Sequence, residues 1–358
     1  MAHPNKGKIM TVLGPVEPDA IGITQMHEHM IIDFLAVGLD AQGSHAAAVA
    51  GADSVGIDWF EPISLSNYYA VRRNPFLLKE AMQLLDVDLV TAALQDYRKA
   101  GGSCVVEVTP IGVGRNPGML RKMSEATGLH VVMGTGFYVR DFQPPEFATM
   151  DEEAIADVIL KDIEEGAGSP AVRPGIVGEI GMAWPMHPQE IKALRAAAKA
   201  QQRTGLGLSI HPGRDVQAPL EAIRIVEEAG GDPTRTIICH LDRTIFETKD
   251  FLSLAKTGCY CEQDLFGWET RHYPLSDIDM PNDAIRVDNI MALADAGHLD
   301  QVLVSHDVDS KLRLKPYGGE GYQHIIENVI PVMRRKGLSQ ADIDRIMIEN
   351  PRRVLTIN

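Results

Sequence analysis

The segment Ile21-Gly22-Ile23-Thr24-Gln25-Met26-His27-Glu28-His29 decides how the rest of the chain is interpreted. Its apolar-led first part, residues 21–26, predicts a short β-strand. Because side chains alternate along an extended chain, His27 and His29 point to one side and Glu28 points to the other. Two neutral imidazoles on one side can bind the same divalent metal ion. This motif is weak by itself, and it gains weight from the polar residues that end later strands.

Short β-type runs alternate with longer helical patterns along the whole chain. The eight predicted strands are residues 21–26, 103–109, 131–135, 175–180, 206–210, 236–239, 258–262 and 301–305. The predicted helices between them include residues 88–100, 150–165, 188–204, 218–229 and 283–296. Glycines stand where helix C-caps are expected, at Gly101, Gly128, Gly205, Gly230 and Gly297. Eight strand–helix units predict a TIM-type (β/α)8 barrel. An open doubly wound sheet is the alternative, but no glycine-rich phosphate-binding motif follows the first strand.

Two segments do not belong to a bare barrel. Residues 11–20 predict a β-hairpin before the first strand, and residues 30–87 form a long connection after it. Such a connection is either a lid or substrate wall, or it packs against the barrel rim or a neighbouring subunit. No linker rich in Pro, Gly and Ser divides the chain, so residues 1–358 are predicted to form a single domain.

The bulk composition excludes several classes of partner. The net charge of −15 disfavours nucleic acid and anionic membranes, because phosphate contacts need clustered Lys and Arg. No apolar run approaches the ~20 residues of a membrane span. The N-terminal residues 1–8 lack the apolar core of a signal peptide, which favours a cytoplasmic protein. The four cysteines lie in or beside strand-like runs without a C-x-x-C pair, and we expect buried free thiols.

Single His or acidic residues recur at or near the ends of the later strands. They are Glu179, His211, His240 and Asp307. In a TIM barrel the C-terminal strand ends meet on one face, so these residues are expected to join His27 and His29. Four imidazoles and two carboxylates suit a pair of borderline divalent ions such as zinc. Glu179, between the two histidine sets, is the expected protein bridge between the ions, with a hydroxide as the second bridge.

Each of these residues also has a simpler interpretation. A histidine that ends an apolar strand is often a hydrogen-bonded structural residue, and Asp307 could cap a following helix. Glu179 is harder to explain in this way, since an ionised carboxylate is almost never buried without a partner. His306 should point away from Asp307 and is not expected to be a ligand. One shared metal site explains these strand-end residues better than five unrelated structural roles would.

The chain resembles the phosphotriesterase family of the amidohydrolase superfamily, and its motifs carry the resemblance over nearly the whole length. They are Thr-Val-Leu-Gly at 11–14, Gln-Met-His-Glu-His at 25–29, Gly-Thr-Gly-Phe-Tyr at 134–138, Gly-Glu-Ile-Gly at 178–181, Ile-His-Pro-Gly-Arg at 210–214, His-Leu-Asp-Arg at 240–243, Val-Ser-His-Asp at 304–307 and Glu-Asn-Pro at 349–351. Residues 259–267 and 315–322 are similar to the phosphotriesterase-related branch, which includes proteins described as resiniferatoxin-binding and N-acetyltaurine hydrolases.

The resemblance implies a barrel with two metal ions. His27, His29 and Asp307 would hold the more buried ion, while His211 and His240 would hold the more exposed one. Many family members place a carboxylated lysine at the bridging position, where this chain has Glu179. That departure weakens the case for efficient phosphotriester hydrolysis.

The predicted function is metal-dependent hydrolysis of a small molecule by a bridging hydroxide, with Asp307 accepting and returning the proton. Zinc is the first choice for both ions, with manganese, cobalt or iron as alternatives. Tyr138 is expected to steady the substrate or pack at the rim. Arg214 and Arg243 are expected to bind an anionic group or, alternatively, to form surface salt bridges with Asp215 or Asp242.

The resemblance ranks the substrates, and a small N-acyl amide such as an N-acyl amino acid or N-acyltaurine comes first. Lactones and carboxylic esters follow, and phosphotriesters come third. A non-catalytic small-molecule-binding protein is the alternative from another class. Asp242 and Asp264 are expected to orient ligand imidazoles, and family analogy predicts a homodimer.

Overall fold

Eight parallel strands form a nearly closed barrel in the computed structural model, which describes residues 4–37, 50–269 and 273–358. Their order around the barrel follows the chain from Thr24–Glu28 to Val302–Val304. At the seam, the His27 amide donates to Ser305 Oγ at 3.0 Å and the Asp307 amide donates to the His27 carbonyl at 3.2 Å. The predicted TIM-type (β/α)8 fold is confirmed.

All eight predicted barrel strands are present within three residues of their expected bounds. In chain order, the strands of the described residues are β1 Ile9–Thr11, β2 Gly14–Val16, β3 Thr24–Glu28, β4 Ile32–Asp33, β5 Gln83–Leu84, β6 Cys104–Glu107, β7 His130–Thr135, β8 Ile176–Gly181, β9 Gly207–His211, β10 Thr236–Ile238, β11 Tyr260–Gln263 and β12 Val302–Val304. The barrel consists of β3 and β6 to β12. The first barrel strand runs from Thr24 to Glu28 instead of over residues 21–26, so it includes His27 and Glu28.

Helices surround this barrel where the helical patterns predict them. Their bounds are α1 Tyr68–Arg73, α2 Val87–Lys99, α3 Pro117–Thr127, α4 Glu152–Glu165, α5 Pro188–Thr204, α6 Ala218–Glu228, α7 Thr248–Ala255, α8 Asp283–Asp295, α9 Ile330–Lys336, α10 Gln340–Asp344 and α11 Asn350–Leu355. Helix α5 shows why these predictions succeed. Pro188 stands at its first turn, His187 and Glu190 form a capping box, and Gly205 ends it in the left-handed conformation with φ 71°.

The barrel wall separates two apolar layers. Along β6 the side chains alternate, so that Cys104 and Val106 belong to the cluster inside the barrel, whereas Val105 packs with the helix residues Val90 and Leu94. The burial of both faces explains why the strands are continuously apolar instead of alternating. All four cysteines are buried and free, as predicted.

The N-terminal hairpin exists, but its predicted bounds of 11–20 are wrong. Strand β1 pairs with β2 through Ile9 and Val16, and a 3₁₀ turn follows at Pro18–Ala20. The turn falls earlier than predicted because Gly14 adopts a φ of 118°, which favours glycine. The Val12 amide then donates to the Val131 carbonyl at 2.8 Å, which joins the hairpin to the barrel.

The long connection after the first barrel strand packs on the barrel rim. Its two ends pair as β4 and β5, and residues 38–49 lie outside the described part. Trp59 and Val71 form a small apolar cluster with Leu312 of the loop after β12. The same connection supplies Tyr68 to a cavity lining, so it is both rim packing and pocket wall. In the described part of the chain, no helix is long and apolar enough to cross a membrane.

Candidate metal centre

Six side chains converge at the C-terminal mouth of the barrel. They are His27, His29, Glu179, His211, His240 and Asp307, and all are largely buried. They come from the ends of β3, β8, β9, β10 and β12, so the structure brings together every residue of the predicted ligand set.

Their donor atoms form two groups that share one carboxylate. In the inner group, Asp307 Oδ1 lies 3.1 Å from His29 Nε2 and 3.7 Å from His27 Nε2. In the outer group, His211 Nδ1 lies 2.8 Å from His240 Nε2. Glu179 spans both, since its Oε1 is 3.5 Å from His29 Nε2 and its Oε2 is 3.0 Å from His211 Nδ1. Glu179 therefore contacts both groups, one through each carboxylate oxygen.

The electrostatics of the cluster fit cation ligation. Burial lowers the pKa of His27, His211 and His240 well below 6.5, so these imidazoles are neutral and keep a free lone pair. Burial also raises the pKa of Glu179 to about 8. Both ring nitrogens of His27 are buried without a hydrogen-bond partner, an arrangement that is costly in the absence of a positive charge.

The fourth histidine behaves differently. Burial disfavours its charged form, but hydrogen bonding to Asp307 and the charges of Asp307, Glu179 and Glu107 outweigh burial and raise the pKa of His29 to about 9. A proton therefore holds the place between His29 and Asp307 that a cation would take. Donor atoms lie within 4.8 Å of one another in three sets, which are His27 with His29 and Glu179, His27 with His240 and Asp307, and Glu179 with His211 and His240. These residue types fit divalent metal ions.

The backbone is unusual at two of these residues. His240 has a φ of 52° and Asp307 a φ of 55°, and they are the only residues other than glycine with a positive φ in the described ranges. Such conformations cost about 1–3 kcal/mol and concentrate at functional sites. The helix-cap interpretation of Asp307 is wrong, because the next turn begins at Lys311 and is capped by Ser310.

Comparison with known proteins shows the family of this chain. A sequence model of the Phosphotriesterase family matches residues 7–355. The chain belongs to the phosphotriesterase family. The N-acetyltaurine hydrolase of Tetraodon nigroviridis is 41% identical over 352 residues, and that of Homo sapiens is 40% identical over 352 residues; each alignment covers 98% of both chains. This phosphotriesterase-family protein is therefore a hydrolase.

Solved structures of the family share the fold. A resiniferatoxin-binding protein from Rhodobacter sphaeroides has a TM-score of 0.90 and 34% identity, with 100% of this chain and 98% of that chain covered. The phosphotriesterase homology protein from Escherichia coli has a TM-score of 0.74 and 27% identity, with coverage of 94% of this chain and 99% of that chain.

A second set of residues fixes the imidazoles of this phosphotriesterase-family site. Asp264 Oδ1 lies 2.8 Å from His240 Nδ1, which leaves Nε2 directed at the outer group. Thr109 Oγ1 lies 2.8 Å from His29 Nδ1 and serves the inner group in the same way. The prediction that Asp242 also orients an imidazole is wrong. Its carboxylate accepts from Arg286 Nε at 2.7 Å, because a fully buried arginine needs a buried acid.

The opposite faces of the ligand strands carry a separate network. Glu28 accepts hydrogen bonds from Ser305 Oγ at 2.8 Å and from the amides of His306 and Val308 at 2.9 Å each. His306 Nδ1 lies 2.9 Å from Glu28, while its Nε2 accepts from the Ile325 amide at 3.0 Å. The expectation that Glu28 and His306 point away from the metal ligands is confirmed.

Glu262 is a site residue that the sequence analysis missed. Both of its oxygens are buried without a hydrogen-bond partner, and Oε2 lies 4.0 Å from His27 Nδ1. With His27, Cys239 and Asp264 it forms a third group of metal-binding side-chain types inside the barrel. The signal was present in residues 259–264, since strand alternation places Glu262 and Asp264 on one face.

The predicted substrate-binding residues lie on the side of the outer group. Tyr138 Oη is 3.3 Å from His211 Nδ1, and Arg243 Nη2 is 3.0 Å from His211 Nε2. Arg214 Nε donates to Tyr273 Oη at 3.1 Å. Arg243 is only 3% exposed, and Asp242 is engaged elsewhere, so the surface salt-bridge interpretation of Arg243 is wrong.

A cavity lies among the loops that follow the last two barrel strands, and none of the six converging residues is in its lining. Its walls come from α1, from the loop after β11 and from the loop after β12, and they include Tyr68, Arg72, Trp268, Asp309 and Arg313. Asp309 follows Asp307 by two residues. Burial and the charge of Asp307 raise the pKa of Asp309 to about 7, although Arg313 and His29 oppose this shift. Asp309 was not singled out from the sequence.

Proposed function

We propose that this hydrolase cleaves small N-acyl amides, of the N-acyl amino acid or N-acyltaurine class, with the help of two divalent cations. The proposal is carried by the two donor groups that share Glu179, in a chain about 40% identical to N-acetyltaurine hydrolases over 98% of its length. Zinc is the first choice of metal because the donors are mainly imidazoles, with manganese, cobalt or iron as alternatives.

The proposed division of ligands is the one that the resemblance to the family implies. His27, His29 and Asp307 would hold the inner cation, and His211 and His240 the outer one. Glu179 would bridge the pair through its two oxygens, with a bridging hydroxide as the remaining shared ligand. Two cations, when bound, would activate that water at neutral pH and polarise the scissile carbonyl.

Asp307 is the proposed proton carrier. Without a cation, burial raises its pKa, but the hydrogen bond from His29 and the charges of His240, His29 and Arg313 lower it below the usual value. A cation in place of the His29 proton would also favour the ionised carboxylate, which could then accept a proton. Its Oδ1 faces His29, while Oδ2 lies 3.9 Å from His240 Nδ1 and is the oxygen directed away from the inner group. A proton accepted at Oδ2 can then pass to the leaving amine.

Tyr138, Arg214 and Arg243 are the proposed substrate-binding residues. The Tyr138 hydroxyl, beside His211, is placed to donate a hydrogen bond to the attacked carbonyl oxygen. Burial raises the pKa of Tyr138 well above 10, so the hydroxyl keeps its proton. Arg214 and Arg243 supply positive charge on the same side for the carboxylate or sulfonate of the substrate.

A substrate screen with defined metal content tests this function. The protein is loaded with zinc, manganese or cobalt, and the bound metal is counted by inductively coupled plasma mass spectrometry. N-acetyltaurine, N-acetyl amino acids, lactones, carboxylic esters and a paraoxon-type phosphotriester are then compared by kcat/KM. We expect about two cations per chain and the highest kcat/KM for an N-acyl amide.

Three outcomes would contradict the proposal. Turnover of phosphorus esters alone would make the chain a phosphotriesterase. Ligand binding without turnover and without metal would make it a binding protein. Unchanged turnover in Glu179→Ala would remove the bridging role. The predicted homodimer, single domain and cytoplasmic location stay predictions, and size-exclusion chromatography with light scattering checks the first.

A further inference from the structure

A buried carboxylate lies behind the inner group and has no part in the proposed reaction. It belongs to Glu107, the last residue of β6, which is fully buried. Its Oε1 accepts a hydrogen bond from the Thr109 hydroxyl, and Thr109 Oγ1 lies 2.8 Å from His29 Nδ1. One hydroxyl group therefore connects Glu107 to a proposed ligand of the inner cation.

The other oxygen of this carboxylate lacks a hydrogen-bond partner. Within the part of the chain that the structure describes, Glu107 Oε2 is buried and no donor reaches it. Arg115, whose charge acts on Glu107, is paired with Asp162 at 2.8 Å. An ionised carboxylate is almost never buried without a compensating charge. At His29, either a ring proton or a bound cation can supply that charge.

The direction of the hydrogen bonds follows from the atoms present. The Thr109 hydroxyl carries one hydrogen and contacts Glu107 Oε1, His29 Nδ1 and the Ile31 carbonyl, the last at 2.9 Å. If His29 binds a cation through Nε2, the neutral ring carries its hydrogen on Nδ1 and donates it to Thr109. Thr109 must then donate its own hydrogen onward. A carboxylate is a stronger acceptor than a peptide carbonyl, so that hydrogen goes to Glu107.

We propose that Glu107, acting through Thr109, is a positioning residue for the inner cation. The two residues hold His29 with its hydrogen on Nδ1 and leave the Nε2 lone pair for the metal. His29 Nε2 lies 3.1 Å from Asp307 Oδ1 and 3.5 Å from Glu179 Oε1, the side on which the cation would bind. An acceptor behind the ring also makes the imidazole a stronger ligand. This inference rests on the proposed function, because it needs a cation in the inner group.

Four variants test the connection between the two residues. They are Thr109→Val, Thr109→Ser, Glu107→Gln and the double variant Glu107→Gln/Thr109→Val. Affinity is measured by chelator competition, and the visible absorption bands of the cobalt-loaded protein report the strength of the ligands around the ion.

We expect Thr109→Val to lower the affinity for one of the two cations about 10- to 100-fold and to shift the cobalt bands. Glu107→Gln keeps an acceptor oxygen but loses the charge, so its loss should lie at the lower end of this range. The double variant should lose no more than Thr109→Val alone, because both residues act in one chain of hydrogen bonds. Thr109→Ser keeps the hydroxyl and should retain the affinity and the spectrum of the wild type.

Two buried residues away from the metal ligands serve as matched controls. Thr236 accepts from Gln201 Nε2 at 3.1 Å at the start of β10, and Glu190 belongs to the capping box of α5. Thr236→Val and Glu190→Gln should lower the thermal midpoint and leave both the metal affinity and the cobalt spectrum unchanged. Thermal midpoints are measured for every variant, so that a loss of folding is not mistaken for a loss of metal.

The outcomes separate this inference from the proposed function. Wild-type affinity and an unshifted cobalt spectrum in both Thr109→Val and Glu107→Gln would overturn the inference alone. Losses that add in the double variant would also overturn it, since the residues would then act independently. If Thr109→Val does not fold, the affinity and spectrum of Glu107→Gln decide. A wild-type protein that binds no metal would overturn the proposed function together with the inference.

Discussion

Replacement of Asp264 by asparagine tests whether the supporting residues hold the metal ligands in place. Asp264 is fully buried, and its Oδ1 lies 2.8 Å from His240 Nδ1. Both of its oxygens also lie 3.0 Å from the His240 backbone amide, so one carboxylate fixes the ring and the backbone of the same ligand. Asparagine keeps the shape of this side chain but removes its charge and one acceptor.

The expected loss follows from these contacts. Loss of a residue that orients a ligand imidazole lowers metal affinity about 10- to 100-fold, or about 1.4–2.8 kcal/mol. In Asp264→Asn, whichever way the amide turns, its NH₂ group faces an N–H of His240, either in the ring or in the backbone. Two donors then face each other inside the barrel, and we expect a loss in the upper half of that range.

Metal affinity is measured by competition with a chromogenic chelator, together with metal counting after dialysis. Asp264→Asn should release the cation of the outer group at lower chelator concentration and retain the inner one. Asp242→Asn is the matched control, since Asp242 is as buried as Asp264 but pairs with Arg286. It should lower the thermal midpoint, because breaking a buried ion pair costs about 3–5 kcal/mol, without a change in metal affinity. Equal metal loss in both variants would refute the reasoning.

Four further predictions concern the same centre and the strands beneath it. Metal affinity should rise between pH 7 and 9, because cations must displace the protons of Glu179 and His29. The pKa values of these two groups are about 8 and about 9. Calorimetry in buffers of different ionisation enthalpy counts the released protons. The thermal midpoint of the metal-free protein should fall as pH rises through 8 and 9, since both folded-state pKa values lie above the unfolded ones, and a rising midpoint would contradict this. Asp307→Asn should lower kcat about 10²- to 10⁴-fold, which steady-state kinetics checks. Gly178→Ala should lower stability by about 1–3 kcal/mol in chemical denaturation, because its φ is 118° and a Cβ would lie 2.3 Å from the Ser209 carbonyl oxygen.

The barrel could be predicted because its signals are local. Each strand is a short apolar run, and some helices end at a glycine that takes the left-handed conformation, as at Gly128 and Gly205. The ligand set followed from one topological rule, that parallel strands in a barrel end on the same face. The hairpin bounds were wrong because β1 and β2 have only three residues each, which leaves little periodic signal in the sequence.

The supporting residues could not be predicted because their partners are distant in the chain. Arg286 is separated from Asp242 by 44 residues, and a single sequence does not reveal which acid faces a buried arginine. Glu262 and Asp309 were treated as ordinary acids, since most acidic residues are exposed. Glu262 is fully buried because alternation along β11 turns it into the barrel, where its Oε2 lies 4.0 Å from His27 Nδ1, whereas Asp309 is only partly buried.

The centre opposes folding as long as no cation occupies it. Two ligands have left-handed backbones, at His240 and Asp307, and Glu179 and Glu262 are buried acids whose charged forms are disfavoured. Three of these residues, His240, Asp307 and Glu179, are proposed metal ligands, so these costs would lower the stability of the metal-free state relative to a metal-bound state. Metal binding should therefore stabilise the barrel mouth strongly. A metal ion of equal affinity at a surface site, where no such costs exist, would stabilise the residues around it less. Hydrogen exchange should show that added metal increases the protection of the amides in β8, β10 and β12 and leaves the protection of the helix layer unchanged. A uniform increase in protection over the whole chain would argue against this local coupling.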